Sequence, residues 1–204
     1  MRWLVPLLFA GALAAADAPS IFYSKTFPAS KPPYMEVTLD QAGNGAYREA
    51  VDDDQPVKFH LSDADTREVF DLAARLDHFK HPLESGLKVA FMGTKTFRWE
   101  ADGQKAEVKF NYSEDPSAQA LADWFERMVE SEQRRIQLET AAKYDRLGVD
   151  QALRELWSSL DRKRLVALEQ YLPMLDRIAN NESYMHTARM KAAEIGAQIR
   201  AAKP

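Results

Sequence analysis

Thr94–Tyr112 reads TKTFRWEADGQKAEVKFNY, and its interpretation decides what kind of fold the rest of the chain has to complete. Asp102-Gly103 is a pair that two-residue β-hairpin turns favour, because the tightest of those turns need positive φ at both central positions. With that turn, Ala101 lies opposite Gln104 and the remaining register follows. One face pairs Trp99 with Ala106, Phe97 with Val108 and Lys95 with Phe110. The other pairs Glu100 with Lys105, Arg98 with Glu107 and Thr96 with Lys109. Opposite-charge cross-strand pairs contribute roughly 0.2–1 kcal/mol each, and a one-residue slip would bury the charges, so the register is strongly specified. The stretch is predicted to be an antiparallel hairpin with one covered face.

Outward from this hairpin, period-two alternation extends back to Ile21. Ile21–Phe27 reads as a first strand, closed by Pro28 and Lys31-Pro32-Pro33. In Tyr34–Asp40, Met35, Val37 and Leu39 point one way and Glu36, Thr38 and Asp40 the other. Gly43-Asn44-Gly45 turns the chain, Ala46–Val51 returns, and Val57, Phe59 and Leu61 form the inward face of another strand. Ser62 is a helix N-cap, able to accept from the backbone N–H of Asp65. Val69, Phe70, Ala73, Leu76 and Phe79 make one apolar stripe, with the helix expected to stop at Pro82.

Asp115-Pro116 opens the next helix with a capping carboxylate and a proline at its first position. Leu121, Trp124, Phe125 and Met128 form its buried stripe, and Glu130–Arg135 is wholly polar, as for a helix leaving the sheet and crossing water. Beyond it the pattern is helical, with turns at Leu147-Gly148, near Asp161 and at Asn180-Asn181. One helix carries Val149, Leu153, Leu156, Trp157 and Leu160; a second, kinked at Pro173, carries Leu165, Leu168, Leu172, Leu175 and Ile178. A third carries Tyr184, Ala188, Ala192, Ile195 and Ile199. The predicted class is α+β: an antiparallel sheet of five to six strands with one or two packed helices over 21–130, then an all-α helical-hairpin tail over 131–204.

Composition limits the chemistry. With 204 residues and 46% hydrophobic content the chain can bury a core, and with no cysteine it has no disulfide, thiolate nucleophile or Cys-ligated metal. A formal charge of −4 argues against a nucleic-acid partner. Residues 21–130 carry 13 basic and 20 acidic side chains, a net −7, whereas 131–204 carry 13 and 10, a net +3. A mildly basic tail can dock on its own acidic body, pair head to tail in a homo-oligomer, or meet an anionic partner.

Met1–Ala16 has the layout of a secretory signal peptide: Arg2, an uncharged run from Trp3 to Ala15, and small residues before a cut at Asp17. Thirteen residues as helix span about 20 Å, short of the roughly 30 Å hydrocarbon core, so a retained anchor is the lesser reading. No later stretch is long and apolar enough to span a membrane. The expected location is periplasmic or secreted.

Two stretches carry a resemblance: Lys25-Thr26-Phe27-Pro28 with Pro32-Pro33-Tyr34-Met35-Glu36-Val37, and Lys88-Val89-Ala90-Phe91-Met92-Gly93 with Lys95-Thr96-Phe97-Arg98-Trp99. They resemble a family of exported bacterial proteins of unassigned function. The strand, helix, hairpin and helix order of 21–130 is also similar to a small bacterial α+β domain in which a Pro-Tyr segment opens the second strand, as Pro33-Tyr34 does here. The resemblance implies a bacterial envelope or secreted setting and brings no catalytic residues.

There is no nucleophile elbow, zincin helix, phosphate loop or dinucleotide fingerprint, and no cofactor is expected. His78 and His81, three apart, could share a divalent ion with Glu84, or simply complement a helix C-terminus. Asp52-Asp53-Asp54 offers hard oxygens but lacks the alternate spacing and glycine of a calcium loop. Glu36 and Glu49 could face each other for acid–base work, in a register that the Gln41–Gly45 loop leaves open. Lys88, Lys95, Arg98, Lys105 and Lys109 make the hairpin locally basic, with Glu100 and Glu107 as internal partners. Arg162-Lys163-Arg164 is the best anion or partner patch of the tail. Ile21–Phe27 could also offer an exposed strand edge to another chain. These readings favour a non-enzymatic protein-interaction module of the bacterial envelope, its partner a protein or other envelope component; the alternative is a carboxylate-dependent hydrolase acting on an envelope polymer.

Overall fold

A computed structural model describes residues 18–202; the expected signal peptide lies outside them. Six strands form one antiparallel sheet: β1 (Ser20–Thr26), β2 (Tyr34–Asp40), β3 (Asn44–Arg48), β4 (Val57–His60), β5 (Thr94–Ala101) and β6 (Gln104–Phe110), in the spatial order β4-β3-β2-β1-β5-β6. Two helices, α1 (Asp63–Arg75) and α2 (Pro116–Tyr144), cover one face. Three more, α3 (Val149–Asp161), α4 (Leu172–Ala179) and α5 (His186–Ala201), make the C-terminal region helical. The fold is α+β.

The hairpin forms as read. All seven β5–β6 pairs, from Lys95 opposite Phe110 to Ala101 opposite Gln104, hold, and Asp102 and Gly103 both take positive φ, 50° and 71°. Arg98 reaches Glu107 at 3.6 Å and Lys105 reaches Glu100 at 3.4 Å on the uncovered face. The helix caps form too: Ser62 Oγ accepts from Asp65 N at 3.1 Å, and Asp115 Oδ1 from Ser117 N at 2.7 Å.

The covered face of the sheet presents Ile21, Tyr23, Val37, Leu39, Tyr47 and Phe97, each without solvent exposure. Tyr23 stacks on Phe125 of α2 at 5.0 Å, and Trp99 meets Phe70 of α1 edge-on at 5.7 Å. In β3, Gly45 faces Phe59 across the strand pair, and a Cβ there would lie 2.1 Å from the ring. Gly45→Ala is therefore expected to cost about 1–3 kcal/mol by overpacking, read as a fall in urea midpoint, with Phe59→Leu in the same chain recovering part of it.

Four expectations change. Ile21–Phe27 is no exposed edge: β1 is paired along its length with β2 and β5, and the free edges belong to β4 and β6. The first helix ends at Arg75, seven residues before Pro82, because Asp77, His78 and Phe79 all adopt left-handed backbone, with φ of 46°, 51° and 65°. Such conformations cost non-glycine residues about 1–3 kcal/mol each and persist only where packing demands them. Here the demand is Phe79, buried and stacked on Phe97 at 5.2 Å. Leu165–Ile178 is not one kinked helix: a 3₁₀ turn over Leu168–Tyr171 leads into α4, where Pro173 sits in the first turn and starts the helix.

The polar stretch of α2 does not cross water. Ser131 and Glu132 are buried because the chain after α3 folds back over them: Ser131 Oγ accepts from Val166 N at 2.8 Å, and the Tyr171 hydroxyl donates to Ser131 O at 2.6 Å. Glu132 accepts from Arg135 at 2.5 Å and Gln170 at 2.8 Å, and Arg135 also donates to Lys58 O of β4. Helix α2 thus runs unbroken through residue 130 and carries two apolar cores, one against the sheet with Val166 and one against α3, α4 and α5.

Candidate functional site

The residues singled out from sequence are dispersed by the fold. His78 packs its ring on Trp99 at 4.3 Å, His81 pairs with Asp77 at 3.1 Å, and Glu84 accepts from Asn111 N at 2.6 Å. The left-handed turn separates the two imidazoles from one helical face, and among the described residues no three His, Asp or Glu gather to hold a metal ion. Glu36 pairs with Arg48 at 2.8 Å on the uncovered face of the sheet, beside the Tyr34 hydroxyl. Glu49 accepts from the Tyr47 hydroxyl, which Gln133 of α2 also contacts on the covered face. The β2–β3 register, Glu36 opposite Arg48, puts the two carboxylates on opposite sides of the sheet, so they cannot share a substrate atom. Burial and the Glu36 carboxylate both push the Tyr34 hydroxyl well above its ordinary pKa, which keeps it a donor rather than a base.

Within Asp52-Asp53-Asp54, Asp53 caps Gln55 N and its carbonyl accepts from Arg48. Within Arg162-Lys163-Arg164, Arg164 pairs with Asp123 and Glu130 of α2, and Arg162 lies 3.7 Å from Glu130. Basic tail and acidic body thereby meet within one chain. Lys95 is half-buried and donates to Asn111 O, and burial, with Lys25 nearby, lowers its pKa.

One surface segment went unread. Residues 84–93 form a strap between the left-handed turn and β5, with no helix or strand of their own. Pro82 and Gly86 (φ 70°) prevent a helix, and Gly93 (φ 99°) passes so close to Phe27 that a Cβ would stand 2.8 Å from it. The backbone is nevertheless pinned. Ser85 N donates to Tyr112 O at 2.9 Å, Met92 N to Asn111 Oδ1 at 2.8 Å, and Asn111 Nδ2 to Ala90 O at 3.1 Å. Leu83 is buried as the anchor and Phe91 meets Phe27 edge-on at 6.0 Å. Hydrogen bonds from Asn111 N and neighbouring amides hold the Glu84 carboxyl below its ordinary pKa.

On this pinned backbone Leu87, Val89, Phe91 and Met92 stand 52%, 43%, 56% and 57% exposed, with Tyr112 beside them at 39%. Other large apolar side chains exposed among the described residues belong to other elements, Val51 to the β3–β4 loop and Met190 to α5. Concentrated apolar exposure on an ordered segment is the usual mark of an interaction surface. Among the described residues, the N–H groups of Lys88, Ala90 and Phe91 have no protein acceptor. The signal in the sequence was an apolar run, Val89–Met92, that fits neither the helix period nor the hairpin.

No protein-family model and no curated protein sequence matches the chain. Among the described residues, no helix is long and apolar enough to cross a membrane.

Proposed function

We propose that the protein is a non-enzymatic interaction module, exported to the bacterial envelope, that holds an extended segment of another envelope protein along the strap. The carrying observation is the strap itself: apolar side chains held outward on a backbone whose conformation is fixed before any partner arrives. An incoming extended segment would pair with the free N–H groups and cover Leu87, Val89, Phe91 and Met92, the mode of recognition by strand addition. A pinned strap loses little entropy on binding, which raises affinity for a given area. The exported setting is supported by the layout of Met1–Ala16 and by the resemblance carried by 25–37 and 88–99.

A photo-reactive residue at Val89, exposed to envelope extract, tests this. One discrete adduct is expected, with Phe91→Ser plus Met92→Ser weakening its formation about tenfold or more, because anchoring side chains dominate interface energies. Absence of an adduct above the level of a reactive residue at Arg75, or an adduct indifferent to the two serines, would overturn the reading.

A further inference from the structure

A second surface feature stands apart from the strap. The left-handed turn at Asp77–Phe79 carries His78 onto the tip of the β5–β6 hairpin, and between them lies a hollow of about 340 Å³. Its lining includes His78, Lys80, Trp99, Asp102, Gln104 and Lys105. The size is at the lower end for small-molecule sites, which combine an apolar floor with a few convergent polar groups.

The chemistry of this lining is specific in kind. Trp99 and His78, with ring centroids 4.3 Å apart, form an aromatic corner, and Phe70 supports Trp99 from the core side at 5.7 Å. An aromatic corner suits a ligand with a flat apolar C–H face. The Gln104 amide and the Asp102 carboxylate supply donors and acceptors of the sort that ring hydroxyls require. One ammonium group stands at the margin. Lys80 lies 3.5 Å from Asp77, both more than half exposed, whereas the Lys105 ammonium pairs with Glu100 on the opposite face of the sheet. An exposed pair of that length contributes little, so Lys80 is free to turn toward a better anion. Ring face, hydroxyls and one carboxylate together describe a single ligand class.

We propose that this hollow binds an acidic saccharide, with a sugar ring stacked on Trp99 and His78, hydroxyls on Gln104 and Asp102, and the sugar carboxylate facing Lys80. The turn explains itself on this reading. Burial of Phe79 forces the reversed backbone, and the same reversal is what presents His78 beside Trp99 rather than on the outer face of α1. Binding requires no change of backbone and no covalent step.

The test is a titration of the full-length chain, followed by the indole N–H resonance of Trp99. The probes are a glucuronic acid trisaccharide and an uncharged glucose trisaccharide of equal length. The acidic trisaccharide is expected to shift that resonance saturably, at least about tenfold more tightly than the neutral one, because a carboxylate–ammonium contact is charge-assisted. Lys80→Gln, at an exposed side chain, should reduce the acidic ligand to the affinity of the neutral one. Phe91→Ser with Met92→Ser should leave it unchanged, so this site and the strap succeed or fail separately. A Trp99 resonance that does not move, acidic binding unaffected by Lys80→Gln, or an equal response to acetate alone would each overturn the proposal.

Discussion

Phe97→Ala is expected to destabilise the protein by about 3–5 kcal/mol, the range for removing a buried phenylalanine from a packed core. Phe97 has no solvent exposure and sits where the sheet meets both its covering elements. Its ring lies 5.7 Å from Tyr23, 5.2 Å from Phe79 and Phe110, and 6.0 Å from Phe125. Truncation leaves a cavity that β1, β6, α2 and the left-handed turn cannot all collapse into. The loss is a large fraction of the 5–15 kcal/mol that holds a typical domain. It also removes the ring that Phe79 packs on, so the reversed backbone at Asp77–Phe79 loses its support. Urea unfolding should show a lower midpoint with an unchanged slope, and the indole resonance of Trp99 should broaden as His78 leaves it. A loss below about 1 kcal/mol would mean that this aromatic cluster is not the centre of the core.

Arg135→Ala should cost a similar amount, about 3–5 kcal/mol, for a different reason: it strands a buried charge. The Glu132 side chain is 1% exposed and Arg135 is its nearest cation. Burial raises the pKa of the Glu132 carboxyl above its ordinary 4.5, while Arg135 and Gln170 pull it down. A carboxyl whose pKa is higher in the folded than in the unfolded chain contributes most to stability below the unfolded value. That contribution is lost as pH rises through the folded value, and is constant above it. Removing Arg135 deletes the strongest opposing influence and pushes the folded value higher still. The penalty of Arg135→Ala should therefore be smallest near pH 4, where Glu132 is protonated in both states, and should grow toward pH 8. Glu132→Gln in the same chain should flatten that dependence. An Arg135→Ala cost equal at pH 4 and pH 8 would show that the lost contact to Lys58 O, not the stranded carboxylate, is responsible.

Phe97 and Glu132 differ in how far their surroundings are local in the chain. Phe97 was legible as a covered-face residue because Asp102-Gly103 lies five residues away and sets its register by local geometry. Ser62 and Asp115 were legible as caps because each satisfies amides two or three residues ahead. Glu132 was not. It is held by Arg135 and Gln170, with Arg135 in turn donating to Lys58 O, and only chain return over more than thirty residues brings Gln170 and Lys58 there. A polar run on a helix reads the same whether water or a hydrogen-bonded return of the chain faces it. The partners of Arg164 are hidden for the same reason, since its carboxylates Asp123 and Glu130 lie more than thirty residues back.

From the order of residues alone came the α+β class, the hairpin and its register, the capped starts of α1 and α2 and the opposite charge of the two halves, because periodicity, turn chemistry and capping act within a few residues. The tertiary structure alone decided that β1 lies at the centre of the sheet and that Ser131 and Glu132 are inside. It also decided that Asp77–Phe79 reverses its handedness, and that the strap presents its apolar side chains to solvent. Each of these is settled by burial against partners distant in the chain. Such competition is won by the packing of the whole molecule and leaves no local pattern to read.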